Sequence, residues 1–106
     1  MSQTNLLQET LETLKAAGKT VSDVAWVRFG KDTEFQCSWA DFAAAADFTY
    51  DNGYGGAEID RSLKIVGADW WLERGEYDGS EWWEFKTLPT KPELPRVPVA
   101  ADLKDD

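Results

Sequence analysis

Between Thr4 and Ala17, Leu7, Leu11 and Leu14 are separated by Gln8, Glu9, Glu12 and Thr13, the spacing of a helix with one apolar stripe. Gly18 follows the last periodic residue, where glycine can take the left-handed cap conformation, and Lys15 and Lys19 suit the negative end of the helix dipole. Two β-branched and aromatic stretches come next, Val24 to Phe29 and Glu34 to Cys37. Gly30-Lys31-Asp32-Thr33 between them predicts a hairpin with a three- or four-residue loop. Ser38-Trp39-Ala40-Asp41 has the form of a capping box, so a second helix should start there, turn Trp39, Phe42, Ala43 and Ala46 to one face and end near Asp47. Tyr50 to Gly56 holds three glycines and reads as an irregular loop.

Strand patterns return at Leu63 to Val66, Trp70 to Arg74 and Glu81 to Lys86, with bends at Gly67-Ala68-Asp69 and Asp78-Gly79. Asp-Gly suits a type I′ turn, which needs positive φ at both central positions. A two-residue turn sets Leu72 opposite Phe85, Arg74 opposite Trp83 as cation on ring, and Gly75 opposite Trp82, but it also sets Glu73 against Glu84. A three-residue loop with a bulge would separate those charges, so the pattern predicts the hairpin and leaves its register open. Pro89, Pro92, Pro95 and Pro98 then predict an extended, polyproline-like tail with a mobile end. The whole reads as α+β: a mostly antiparallel five-stranded sheet with two helices packed on one face, in a single domain over residues 1–90, followed by a Pro-rich tail over 91–106.

Composition narrows the chemistry. The chain has 106 residues, 42% hydrophobic and 29% charged, which is enough for one folded core. Its net charge of −9 opposes direct binding to nucleic acid or to an anionic membrane surface. No apolar run approaches the ~20 residues that a bilayer span needs, and Met1-Ser2-Gln3-Thr4-Asn5 lacks the basic start of a signal peptide, so a cytoplasmic location is expected. One cysteine cannot form an internal disulfide, and the absence of histidine removes the usual proton shuttle and metal ligand. Cys37 therefore reads as a buried structural thiol. Glu73, Glu76, Glu81 and Glu84 raise the thought of a glycosidase pair, although domains this small seldom enclose a deep cleft. Asp47, Thr49, Asp51 and Glu58 match an EF-hand loop at its ends, but the middle fails, with Asn52 at its sixth position and Gly55 at its ninth. No catalytic residue, no cofactor and no metal are expected.

Aromatic and acidic residues carry the functional signal. Trp70-Trp71 and Trp82-Trp83 must each send one ring to either side of the sheet. The second face is then either covered as well, or a partly exposed aromatic patch rimmed by Glu73, Glu76, Glu81 and Glu84, as at protein interfaces. No basic residue lies between Lys31 and Arg61, where seven acids do, and Asp69 to Glu84 holds six acids against Arg74 alone. Such acids either solvate the surface or imitate nucleic-acid phosphates toward a basic groove. The expected partner-binding residues are Asp51, Tyr54, Glu58, Trp71, Glu73, Glu76, Asp78, Glu81, Trp82 and Glu84.

The runs Tyr50 to Gly56 and Trp70 to Lys86 resemble small acidic proteins encoded by phages and prophages, a likeness that spans most of residues 5–90. Several such proteins are anti-CRISPR or anti-restriction inhibitors. The resemblance in size and charge implies an inhibitor that binds a protein partner with a basic surface, such as a CRISPR–Cas effector, in the host cytoplasm. The alternative is an accessory or structural phage protein that self-associates through its tryptophans, so the chain is expected as a monomer or a homodimer.

Overall fold

The structure, a computed structural model, describes residues 3–53 and 56–105. The elements run β1 (Gln3–Asn5), α1 (Leu6–Ala16), a 3-10 turn (Val21–Asp23), β2 (Trp26–Phe29), β3 (Phe35–Cys37), α2 (Trp39–Ala46), β4 (Thr49–Asp51), β5 (Lys64–Val66), β6 (Trp70–Tyr77), β7 (Ser80–Thr87) and α3 (Ala100–Leu103). Five strands form an antiparallel sheet in the order β3-β2-β5-β6-β7. A separate antiparallel pair, β1 with β4, was not expected, and it draws Thr4 and Asn5 out of the predicted helix and Tyr50 and Asp51 out of the predicted loop.

Helix α1 begins one residue after Asn5, whose side chain accepts from the Gln8 amide at 2.9 Å. It ends in a Schellman arrangement: Gly18 takes φ 75°, and the amides of Lys19 and Gly18 reach the carbonyls of Leu14 and Lys15. The buried line is Leu6, Thr10 and Leu14, while Leu7 and Leu11 sit half-buried at its side. A threonine takes the central place because its hydroxyl donates to the Leu6 carbonyl at 2.7 Å and accepts the Trp83 indole N–H at 2.9 Å. Helix α2 starts at Ser38 as predicted, with Ser38 Oγ accepting from the Asp41 amide at 3.1 Å, and buries Phe42 and Ala46.

Both helices cover one face of the sheet. Val27, Ile65 and Leu72 there are wholly enclosed, and Trp70 and Trp83 join Leu6, Leu14, Phe42 and Ala46 in the core. The β2–β3 loop spans Gly30–Glu34, longer than predicted, because it is held from outside: the Gly30 amide donates to Asp60 at 2.8 Å and the Ser62 hydroxyl to the Gly30 carbonyl at 2.8 Å. The β6–β7 turn has φ 52° at Asp78 and 87° at Gly79, the two-residue type I′ turn. It sets Leu72 opposite Phe85, Arg74 opposite Trp83, Gly75 opposite Trp82, and Glu73 opposite Glu84. Beyond Thr87 every described residue is exposed, and within the tail Ala100–Leu103 form α3, where Asp102 accepts from the Val99 amide and pairs with Arg96. Among the described residues no helix is long and apolar enough to cross a membrane.

Candidate functional site

Alternation along β6 and β7 gives the sheet two chemically different sides. Trp70, Leu72, Arg74, Glu81, Trp83 and Phe85 point toward the helices, and Trp71, Glu73, Gly75, Trp82, Glu84 and Lys86 point away. Among the described residues no helix covers the second side. Strand register arranges it in rows: Trp26, Val66, Trp71 and Lys86 in one, and Gln36, Arg28, Lys64, Glu73 and Glu84 in the next. Trp82 stands in the row beyond, opposite Gly75. Trp26 is 41% exposed and Trp82 37%, so the second face is an open aromatic surface. A shallow depression of about 420 Å³ lies on it beside Ala25, Trp26 and Gln36.

The two outward indoles of the last hairpin, Trp71 half-buried and Trp82 exposed, are held by one local device. Trp71 Nε1 donates to Glu73 at 2.6 Å and Trp82 Nε1 to Glu84 at 3.0 Å, each two residues along the same strand. Gly75 makes room for the second, since a Cβ there would lie 2.6 Å from Trp82 Nε1. Each carboxylate thus turns to its own indole, and Glu84 also pairs with Lys86 at 3.5 Å, which is how the register tolerates Glu73 opposite Glu84.

Glu81, expected on the acidic rim, is instead enclosed at 2% exposure. It accepts Arg74 at 3.1 Å and the amides of Glu58 and Ile59 at 2.7 and 3.2 Å. Alternation from Trp82 sends it inward, and these three donors satisfy its charge there. Arg74 also reaches Glu9 at 3.4 Å and the Tyr50 hydroxyl at 3.0 Å, with its guanidinium 4.7 Å from the Trp83 ring. The Tyr50 hydroxyl donates to Glu9 at 2.7 Å; burial first, then this bond, pushes its pKa up to about 12 against the opposing Arg74 charge. This network is internal and joins α1, β4, β6 and β7.

The remaining expected residues gather at the turn end of the hairpin. Asp78 is exposed in the turn, Glu76 accepts from the Gly79 amide at 3.0 Å and lies 4.0 Å from Arg61, and Glu58 is exposed beside them. Asp51 is half-buried in β4, next to Asn52, whose side chain accepts from the Glu81 amide at 2.8 Å. Tyr54 lies outside the described residues. The nine expected residues that are described therefore divide: Trp71, Glu73, Trp82 and Glu84 on the open face, Asp51, Glu58, Glu76 and Asp78 toward the turn end, and Glu81 in the core. Sequence reasoning did not select Tyr77, which is 77% exposed at the turn, or the open-face residues Trp26, Arg28, Lys64 and Lys86. Alternation from Val27 and Ile65 would have found Trp26 and Lys64.

Other candidate chemistry finds little support in the geometry. Thr49–Asp51 is a strand and Asp47 bonds Asn5 at 2.8 Å, so the EF-hand spacing is not wrapped into a loop. Among the described residues no group of three or more His, Cys, Asp or Glu is placed to hold a metal ion. Cys37 is half-buried against the core rather than enclosed; burial pushes its thiol pKa up, and Asp41 adds to the effect. An apolar groove of about 250 Å³ opens beyond α2, between Phe29, Phe48, Ile59 and Leu63, with Glu58 and Asp60 at its rim. The Asp60 carboxylate, despite its partial burial, stays below its usual range because Ser62 and the Gly30 amide bond it. Compared with protein-family models, curated proteins and solved structures, the chain matches none.

Proposed function

We propose that this protein is a non-catalytic binding protein, a phage-encoded inhibitor that sets the turn end of its last hairpin into a basic nucleic-acid site of a host defence nuclease complex of the CRISPR–Cas kind. One observation carries the reading. Tyr77 and Asp78 stand exposed on a tight type I′ turn whose Gly79 amide bonds Glu76, and Glu58 is exposed on the segment whose amide bonds Glu81, in a chain of net charge −9. Tyrosine supplies large contact area at low conformational cost, and carboxylates fixed on a hairpin present negative charge where a phosphate backbone would otherwise lie. The backbone positions these groups before any partner arrives, which lowers the ordering cost of docking. Long-range attraction from the net charge would speed encounter with a basic channel, and salt would slow it.

Cells in which a CRISPR–Cas system clears a targeted plasmid provide the test. Expression of the wild type is expected to preserve the plasmid, and a Tyr77→Ala/Asp78→Asn/Glu58→Lys variant of unchanged thermal stability should lose that protection. Clearance that proceeds equally with and without the wild type, across systems of different type, would overturn the reading.

A further inference from the structure

The open face carries an asymmetry that its mean charge conceals. Along one row, β5 contributes Lys64 and β2 contributes Arg28, which already pairs with Glu34 at 3.0 Å and donates to the Ser62 carbonyl, and β6 and β7 contribute Glu73 and Glu84. The sign of charge changes once, between β5 and β6. The adjacent row is largely apolar, with Trp26, Val66 and Trp71 side by side. We infer that this face is self-complementary and packs against the same face of a second copy, with the two-fold axis parallel to the strands and passing between β5 and β6. That axis lays β5 of one copy over β6 of the other and β2 over β7. Lys64 then meets Glu73 of the second copy, Arg28 meets Glu84 and Val66 meets Trp71. A two-fold across the strands would instead set Lys64 near Lys64, so the charge pattern selects one of the two face-to-face arrangements.

Three further observations favour a second copy over a different occupant. Lys64, and Arg28 with its 3.0 Å partner Glu34, stand on this face although the chain as a whole is at −9, so a uniformly basic partner does not match it. Trp71 and Trp82 are pinned by Glu73 and Glu84 and lose little freedom on contact. Aligned packing of two twisted sheets is a common way to bury such faces. At ~4.8 Å between strands and ~3.4 Å per residue, the face offers on the order of 400 Å² per copy. That is about half a standard interface, so the dimer is a weak one. Because the axis runs along the strands, both turn ends point the same way and the dimer presents two acidic tips side by side. The dimer does not depend on the proposed inhibitor role, which is read from plasmid clearance.

Charge exchange between copies tests it, by sedimentation of the full chain from about 1 µM to about 1 mM, a span that covers weak self-association. The wild type should pass from monomer to dimer. Lys64→Glu and Glu73→Lys should each raise Kd by roughly tenfold or more, because each sets like charges across the two-fold twice. Mixed in equal amounts, the two variants should form a heterodimer at wild-type concentrations, since every opposed pair is then complementary. Rescue on mixing cannot come from repaired folding within one copy. A wild type still monomeric at the highest concentration overturns the inference, as does a mixture no more dimeric than its components. A monomer whose Trp82 is shielded from a soluble quencher at every concentration would place the chain's own Pro-rich tail on the face, and overturns it too.

Discussion

The two faces of the β6–β7 hairpin use the same residue types to opposite ends. Toward the helices lie Trp70, Trp83, Arg74 and Glu81; toward solvent lie Trp71, Trp82, Lys86, Glu73 and Glu84. On the inner side the polar partners are far apart in sequence: Trp83 bonds Thr10 across 73 residues, and Arg74 bonds Glu9 across 65. On the open side each indole bonds a carboxylate two residues away. Those two inner bonds exist only when the tertiary fold exists, and the inner Arg74–Glu81 pair, seven residues apart, needs at least the closed hairpin, whereas an outer bond needs only the strand. The inner polar groups should govern stability, and the outer ones should set the posture of a surface.

The greatest separation between the faces is expected from their cations. Arg74→Ala leaves Glu81, at 2% exposure, without its countercharge and should cost about 3–5 kcal/mol. Against a total of about 5–15 kcal/mol for a small domain, that brings the protein close to unfolding at room temperature. Lys86→Ala, which removes a 3.5 Å pair with an exposed Glu84, should cost under about 1 kcal/mol. Urea denaturation of both variants checks the contrast, and similar losses would mean that the buried network is not a tertiary tie.

Alkaline pH probes the same network without changing a residue. Tyr50 is 4% exposed and its pKa is raised to about 12, above the ordinary value of 10.0. Between these values the unfolded chain has lost the phenolic proton and the folded chain has kept it. Stability is thus fully present below about pH 10 and falls as pH rises toward about 12, by roughly 2–3 kcal/mol. Tyr50→Phe should flatten that part of the profile, at the expense of about 1 kcal/mol at neutral pH for the lost bonds to Glu9 and Arg74. A slope that persists unchanged in Tyr50→Phe would place the titration elsewhere.

Local signals explain what could be read before any coordinates. Asp78-Gly79 marks its turn because few other residues accept positive φ twice, while the register, and with it Arg74 opposite Trp83, stays open in the sequence because a bulged loop would also relieve Glu73 against Glu84. Gly18 and Ser38 mark helix boundaries through capping bonds that lie within a few residues of them. The buried line of α1 was misread because a leucine pattern is ambiguous by one position, and Thr10 earns its burial from Trp83, far along the chain. Strands β1 and β4 were invisible for the same reason, being three-residue segments that pair across more than 40 positions. The site was legible in composition and only partly in placement. Acids close in sequence were taken for one surface, but alternation sends Glu81 inward and Glu84 outward, and Lys64 and Lys86 bring positive charge to a face expected to be acidic.

Two glycines extend the comparison with one identical substitution. Gly67 lies under the buried Trp70, where a Cβ would stand 2.1 Å from the indole; Gly75 lies under the exposed Trp82, where it would stand 2.6 Å from it. Neither has positive φ, so space alone decides. Gly67→Ala must displace a ring that the core holds, and about 1–3 kcal/mol of destabilisation is expected. Gly75→Ala has only to lift a ring into solvent and should change stability by less than about 0.5 kcal/mol, while moving Trp82 fluorescence to the red as the indole leaves Glu84. Thermal melts and emission spectra of the two variants separate these outcomes. A large loss from Gly75→Ala would mean that the open face is itself part of the structural core.

The smallest effect concerns the like charges of the open face. Glu84→Gln keeps an amide oxygen to accept the Trp82 indole and removes one of the two carboxylates set opposite each other at Glu73 and Glu84. Relief of that repulsion is worth about 0.2–0.5 kcal/mol, and the weak pair with Lys86 is lost in return, so a net gain of at most a few tenths is expected. Its signature is salt dependence: the difference from wild type should shrink between low and high ionic strength, because both groups are partly exposed and screening acts on them. The inner counterpart, Glu81→Gln, offers no such relief. It would leave the Arg74 charge enclosed against a neutral amide, so its loss should hold at every salt concentration. A salt-sensitive Glu81→Gln, or a strongly destabilising Glu84→Gln, would show that the two faces do not differ in the way their burial requires.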